Sequence, residues 1–202
     1  MKAVDLVSGR MAPLPRAQVD TDQIIPKQFL KRIERTGFGE FLFYDWARDA
    51  EGEKDPGFVL NRPQYQDATV LVCGPDFGTG SSREHAPWAL HDWGFRAVLA
   101  PSFGDIFRSN CHKIGLLAIE LPEAVVQTLL ALAEEQPDAV VTVNLEEQTV
   151  TAPGVDELFE FDAYAKYMLL NGLDEIGATM LEESAIAEFE KSRPTFKPRT
   201  SN

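Results

Sequence analysis

Apolar residues in this chain fall into short β-branched runs separated by stretches in which they recur every three or four positions. Val70-Leu71-Val72-Cys73, Ala97-Val98-Leu99-Ala100 and the run 116–121 are of strand length and almost wholly apolar, as in strands covered on both faces. Between them, 84–93 and 105–113 carry helical spacing, the second stopped by Gly115. Pro122 opens another helix over 125–134. Residues 140–145 and 148–152 read as a hairpin across Glu146-Glu147. Nearer the start, 4–14 reads as a short strand and a turn ended by Pro13, and Asp20-Thr21-Asp22 as a loop. Residues 28–33 have room for one helical turn. Phe41, Leu42, Phe43, Tyr44 and Trp46 are dense enough for a core or a subunit interface, and 49–57 is a charged surface loop. Helices over 162–170 and 174–191 flank Gly172. Strand–helix alternation plus a hairpin predicts an α/β fold with a mixed sheet. One domain over 1–191 is expected, with 192–202, which holds Pro194 and Pro198, as a loose tail.

Composition narrows the class. The chain has 202 residues, 44% hydrophobic and 25% charged, values of a globular protein with a substantial core. A net charge of −13 argues against a nucleic-acid or anionic-membrane surface. Asp5, Ser8, Gly9 and Arg10 interrupt the amino-terminal apolar residues, no run reaches membrane-spanning length, and a cytoplasmic location is expected. Cys73 and Cys111 are the two cysteines, too few for a four-cysteine iron–sulfur centre, and both read as reduced, buried thiols. His85, His91 and His112 lack metal-ligand spacing.

The chemistry concentrates in Phe77-Gly78-Thr79-Gly80-Ser81-Ser82-Arg83-Glu84-His85, where the strand ending at Cys73 passes into a helix. Gly78 and Gly80 permit positive φ and close approach of a ligand to the backbone. Ser81 or Ser82 is expected to cap the helix, whose free N–H groups favour an anion. Arg83 adds a rigid fork shaped for a carboxylate. The stretch lacks the third small residue of a dinucleotide fingerprint, the Gly-Lys-Ser/Thr of a phosphate loop and the Gly-x-Ser-x-Gly of a nucleophile elbow. Carboxylate recognition beside a hydroxyl remains. In an acidic protein, Arg83 is the local concentration of positive charge that such a site needs.

Gly80-Ser81-Ser82-Arg83-Glu84-His85-Ala86 resembles the signature of the aconitase superfamily's swivel domain. Asp20-Thr21-Asp22-Gln23-Ile24-Ile25-Pro26 resembles the amino-terminal motif of the 3-isopropylmalate dehydratase small-subunit family. Ala100-Pro101-Ser102-Phe103, continuing through 108–117, resembles the segment after the serine loop in the same family. The three cover most of residues 4–121 in order and spacing. The resemblance implies a β/β/α swivelling domain with C-terminal helices. It also implies a hydro-lyase that interconverts 2- and 3-isopropylmalate through 2-isopropylmaleate in leucine biosynthesis. The family's first serine acts as an alkoxide base, which gives that role to Ser81, with Arg83 on a substrate carboxylate and Ser82 in support. The loop after Asp-Thr-Asp contacts the variable substituent, so Phe29 and Leu30 would face an isopropyl group while Lys31 or Arg32 reaches a carboxylate.

No cofactor is expected on this chain. A [4Fe–4S] cluster is implied on a separate large subunit, which makes that subunit the expected partner and leaves this chain inactive alone. His85, four positions after Ser81, is the alternative base, although a histidine bonded to a neighbouring backbone or acidic group is the commoner arrangement. Two rival functions stand beside this reading. One is a small subunit for a citramalate- or homoaconitate-type acid, since an apolar pocket discriminates by only ~1–3 kcal/mol per methylene. The other is a non-catalytic dicarboxylate-binding module, which the adjacent serines disfavour because simple carboxylate binding needs no second hydroxyl.

Overall fold

A computed structural model of the protein describes residues 1–31 and 36–194. Seven strands form one mixed sheet: β1 (Leu6–Leu14), β2 (Val70–Cys73), β3 (Ala97–Ala100), β4 (Leu117–Glu120), β5 (Val140–Asn144), β6 (Thr149–Ala152) and β7 (Val155–Leu158). Their order is β4-β3-β2-β1-β5-β6-β7. The first four run parallel, and β5, β6 and β7 continue antiparallel from the other side of β1. The α-helices are α1 (Thr21–Ile24), α2 (Tyr44–Ala47), α3 (His85–Trp93), α4 (Asp105–Lys113), α5 (Glu123–Glu135), α6 (Ala163–Leu170), α7 (Glu175–Met180) and α8 (Glu183–Ser192).

The apolar runs are buried on both faces because helices cover both. Every residue of β2 and β3 is buried, and successive side chains enter opposite cores. Leu71, Cys73, Val98 and Ala100 meet Ala89 and Leu90 of α3, Phe107 and Cys111 of α4 and the aromatic segment around Phe38 and Phe43. Val70, Val72, Ala97 and Leu99 meet Val126, Leu129 and Leu130 of α5 and Leu169 of α6. Full burial of each valine, leucine or phenylalanine among them contributes about 1.5–3 kcal/mol. The dense aromatics expected at a core or interface divide: Phe43 is fully buried and stacks on Trp46, while Phe41, Tyr44 and Trp46 are half-buried.

Several expectations are corrected. β1 does not turn before Pro13 but runs through it. β5 pairs only with Leu6–Arg10, so beyond Arg10 the strand has a neighbour on one side alone, where a residue without N–H is tolerated. Asp20-Thr21-Asp22 is not a loop: Asp20 caps α1, accepting the Gln23 N–H while the Gln23 side chain accepts the Asp20 N–H. The turn expected over 28–33 is a 3₁₀ helix at Lys27–Lys31, and its remainder lies outside the described residues. β7 was not foreseen; it is an edge strand whose Asp156 and Glu157 hide the strand pattern while protecting the edge. Ser192, assigned to the tail, is the last residue of α8; Thr195 to Asn202 lie outside the described residues.

Candidate active site

The three chemistry-bearing stretches are far apart in sequence, yet they meet at the carboxyl ends of β1, β2 and β3, where open α/β sheets hold ligands. The chain leaving β1 enters α1 beside the loop leaving β2. Asp20 forms a parallel bridge with Thr79, and the Thr21 N–H donates to the Thr79 carbonyl at 2.9 Å. The Thr21 hydroxyl, in a residue only 1% exposed, donates to the Ser81 carbonyl at 2.9 Å. Asp22 takes both arms of the Arg83 guanidinium, Nη1 to Oδ1 and, at 3.3 Å, Nη2 to Oδ2. The Arg83 side chain is 19% exposed, so this pair is more sheltered than an ordinary surface ion pair.

The third stretch supports the loop from beneath. The Ser102 hydroxyl donates to the Asp76 carboxylate and accepts the Asp76 N–H, each at 2.8 Å, and the Phe77 N–H donates to the Ser102 carbonyl. Asp76 sits at φ 59°, a strained setting that this double bond holds. Gly78, at φ 76°, lies against the Phe107 ring, and any Cβ there would enter it. Gly80, at φ 88°, turns the chain over Asp20. These contacts explain why the loop needs glycine at both positions.

Ser81 and Ser82 are exposed. The Arg83 Nη2 stands 3.5 Å from the Ser81 Oγ. Neither serine caps a helix: α3 begins at His85, and Glu84, at the N-cap position, makes no side-chain cap. The reason is local. Thr21 and Asp22 draw Ser81 and Arg83 toward α1, which carries the serines off the axis of α3. The expected ring of helix-terminal N–H donors around Ser81 is therefore replaced by one guanidinium.

Among the described residues, His85 makes neither of the bonds expected of a structural histidine. Its ring lies edge-on to Phe38 at 5.3 Å and against Trp88 at 4.8 Å. Burial lowers its pKa, Glu84 opposes and Arg83 reinforces this, so the imidazole is neutral near pH 7. His91 is also held below its usual value by burial, with Arg96 adding to it. Phe29 stacks on Phe41 at 4.1 Å and tilts against Tyr44, and Leu30 is half-buried beside the same core. Lys31 is exposed at the end of the 3₁₀ turn, and Arg32 lies outside the described residues. This segment follows α1 through Ile25 and Pro26, so it leaves from the helix to which the serine loop is bonded.

The described residues do not fit a metal cluster. Cys73 closes β2 and Cys111 lies in α4; both are 0% exposed, and burial pushes their thiols up, away from the thiolate that iron requires. Among the described residues no group of three or more His, Cys, Asp or Glu is placed to hold a metal ion, and no helix is long and apolar enough to cross a membrane.

Sequence reasoning had pointed to Ser81, Ser82 and Arg83 but missed Thr21 and Asp22 as the side chains that hold them. Their motif was visible as a resemblance; its pairing across 61 positions was not.

Comparison with known proteins finds relatives over nearly the whole chain. The model of the aconitase C-terminal domain matches residues 1–124 and the LeuD_N model 127–163. The model of the C-terminal domain of the 3-isopropylmalate dehydratase small subunit matches 175–202. A 3-isopropylmalate dehydratase small subunit from Rubrobacter xylanophilus is 54% identical over 98% of this chain and 99% of its own. That of Halalkalibacterium halodurans is 53% identical over 96% of this chain and 100% of its own. A crystal structure of 3-isopropylmalate dehydratase (leuD) from Methanocaldococcus jannaschii has the same fold, with a TM-score of 0.63 at 23% identity, covering 92% of this chain and 99% of that one.

Proposed function

Since the chain belongs to the 3-isopropylmalate dehydratase small-subunit family, we propose that it contributes the proton-transfer side of a site completed by a large subunit. The enzyme is a hydro-lyase of leucine biosynthesis, interconverting 2- and 3-isopropylmalate through 2-isopropylmaleate. The relatives' names favour this substrate over citramalate- or homoaconitate-type acids. The setting is the cytoplasm.

Elimination of water from a hydroxy diacid needs a base for an unactivated proton beside a carboxylate, a fixed cation for the charge that moves onto that carboxylate, and a route for the departing hydroxyl. Ser81 is the base, acting as an alkoxide, and Ser82 supports the bound diacid. Arg83 is the cation. Asp22 occupies one edge of its fork, which leaves other N–H donors of the five for a substrate carboxylate. Asp22 thus positions Arg83 rather than consuming it. Phe29 and Leu30 present an apolar surface to the isopropyl group, with Lys31 or Arg32 reaching toward a carboxylate.

The single observation that carries this reading is the exposed Ser81 hydroxyl beside an Arg83 that is itself locked to α1. In the free chain Ser81 faces water, where one guanidinium at 3.5 Å falls far short of making a serine acidic. A partner that covers the loop removes that water, and the same charge then acts in a lower dielectric. The departing hydroxyl is left to the partner, because the cysteines here do not fit the [4Fe–4S] cluster that the family implies.

The test is turnover of 2-isopropylmalate by this chain alone, by a large subunit of the family alone, and by the two combined under anaerobic conditions. Activity is expected in the mixture only. Turnover by this chain alone would contradict the division of labour.

A further inference from the structure

Helices α7 and α8 and Leu181 in the turn between them set apolar side chains outward: Ile176 is 75% exposed, Leu181 61% and Phe189 65%, with Met180 and Ile186 also exposed. Neither helix has a buried residue. Helices shorter than about 12–15 residues are marginal in water without packing, and α8 has ten residues. The spacing 176–180 on α7 and 186–189 on α8 sets each pair on one side of its helix, which makes a ridge rather than scattered exposure.

A groove of about 610 Å³ begins at this ridge and shares Ile176 with it. It passes Phe161 and Met168 and follows α4 as far as Asp105. Gly104, just before Asp105, is packed against the Gly78 carbonyl of the serine loop. The α4 end of the groove therefore adjoins the base of the serine loop.

Charge selects the occupant. Residues 174–193 hold six carboxylates against Lys191 and Arg193. In the groove, Arg108 pairs with Glu120 and Lys113 with Glu175, which leaves Asp105, Glu160, Asp162 and Asp174 without a cationic partner among the described residues. A second copy of this chain would bring the same acidic rim to a two-fold contact, like charge against like. An apolar surface rimmed by lysine or arginine is complementary.

We propose that the α7–α8 ridge and the adjoining groove are a docking surface for the large subunit, which seats an apolar segment with a basic rim there. The proposal rests on the two-subunit reading above and names the contact that would hold the partner over Ser81.

The experiment titrates the large subunit into wild-type protein, the Ile176→Ser/Phe189→Ser double variant and Ser81→Ala by calorimetry, and measures turnover at saturating large subunit. The substituted residues are exposed, so circular dichroism unchanged from wild type is expected for both variants. The double variant should bind about ten- to a hundred-fold more weakly, as loss of interface anchors does, yet keep its turnover once saturated. Ser81→Ala should bind normally and lose turnover. Unchanged affinity in the double variant would overturn the docking surface and leave the two-subunit site standing. A wild-type homodimer that the double variant dissolves would give the ridge to a second copy instead. Turnover by the wild-type chain without a large subunit would remove both.

Discussion

The serine loop and the C-terminal helices are both exposed, for opposite physical reasons. The loop presents polar groups that would be content in water, and its backbone is nonetheless bonded to α1 through Thr21 and Arg83 and to the β3 end through Ser102. Helices α7 and α8 present apolar groups that water disfavours, and few contacts hold them to the rest of the chain. Rigid exposure of reactive groups prepares a site before its substrate arrives. Loose exposure of apolar groups prepares a surface for a partner. On the readings proposed above, the first region serves the chemistry and the second recruits the partner.

That contrast can be broken first at Arg83. Arg83→Lys keeps the charge but loses the fork that holds Asp22 and a carboxylate together, and kcat/KM of the reconstituted enzyme should fall by roughly 10²–10³. A loss below ten-fold would mean that the fork geometry is not used.

Stability separates the two ends next. Gly78→Ala drives a Cβ into Phe107 at positive φ and should cost about 2–4 kcal/mol in urea unfolding. Gly177→Ala in α7 meets mainly the Asp174 carboxylate that caps the helix and gains helix propensity, so its change should stay within about 1 kcal/mol. Equal costs at both glycines would erase the distinction between a fixed loop and a loose helix.

The buried end of α4 gives a pH signature. Burial holds the His112 pKa at about 4 in the folded protein against 6.5 for a free histidine; a bond to the Ala118 backbone opposes the shift and Arg108 adds to it. Its Nε2 lies buried without a hydrogen-bond partner among the described residues. A depressed histidine pKa means that between pH 6.5 and 4 the unfolded chain binds the extra proton. Stability is therefore full above about 6.5, falls as the pH drops toward 4, and is flat with respect to this group below that. The full span is worth about 3 kcal/mol. Unfolding free energies of wild type and His112→Gln, measured at pH 7 and pH 4.5, should converge as the pH falls.

The smallest effect is expected at Asp22. Asp22→Asn leaves Arg83 its charge but weakens its alignment, and KM should rise about ten-fold, the size of one sheltered ion pair. A fall in kcat with KM unchanged would make Asp22 part of the chemistry rather than a positioner of Arg83.

These distinctions were unevenly legible in the sequence. Strands such as Val70–Cys73 and Ala97–Ala100 were plain because burial on both faces demands unbroken apolar runs. Ser81 and Arg83 stood out because two glycines, two hydroxyls and a guanidinium together serve no simple turn. The serine cap on α3 was misjudged because Thr21 and Asp22, distant in sequence, hold Ser81 and Arg83 beside α1. β7 was missed because charges on its edge erase the alternation that marks a strand. Local propensity is written along the chain, whereas the clamp on the serine loop exists only once β1 and β2 pair.

The central claim is that Ser81 removes the proton once a partner has covered it. The direct measurement is single-turnover dehydration of 2-isopropylmalate by Ser81→Ala protein combined with saturating large subunit. Complex formation should be normal, with the rate lowered by at least about 10²–10⁴-fold, the range for loss of a positioned base. A rate within a few-fold of wild type in a fully assembled complex would contradict the account.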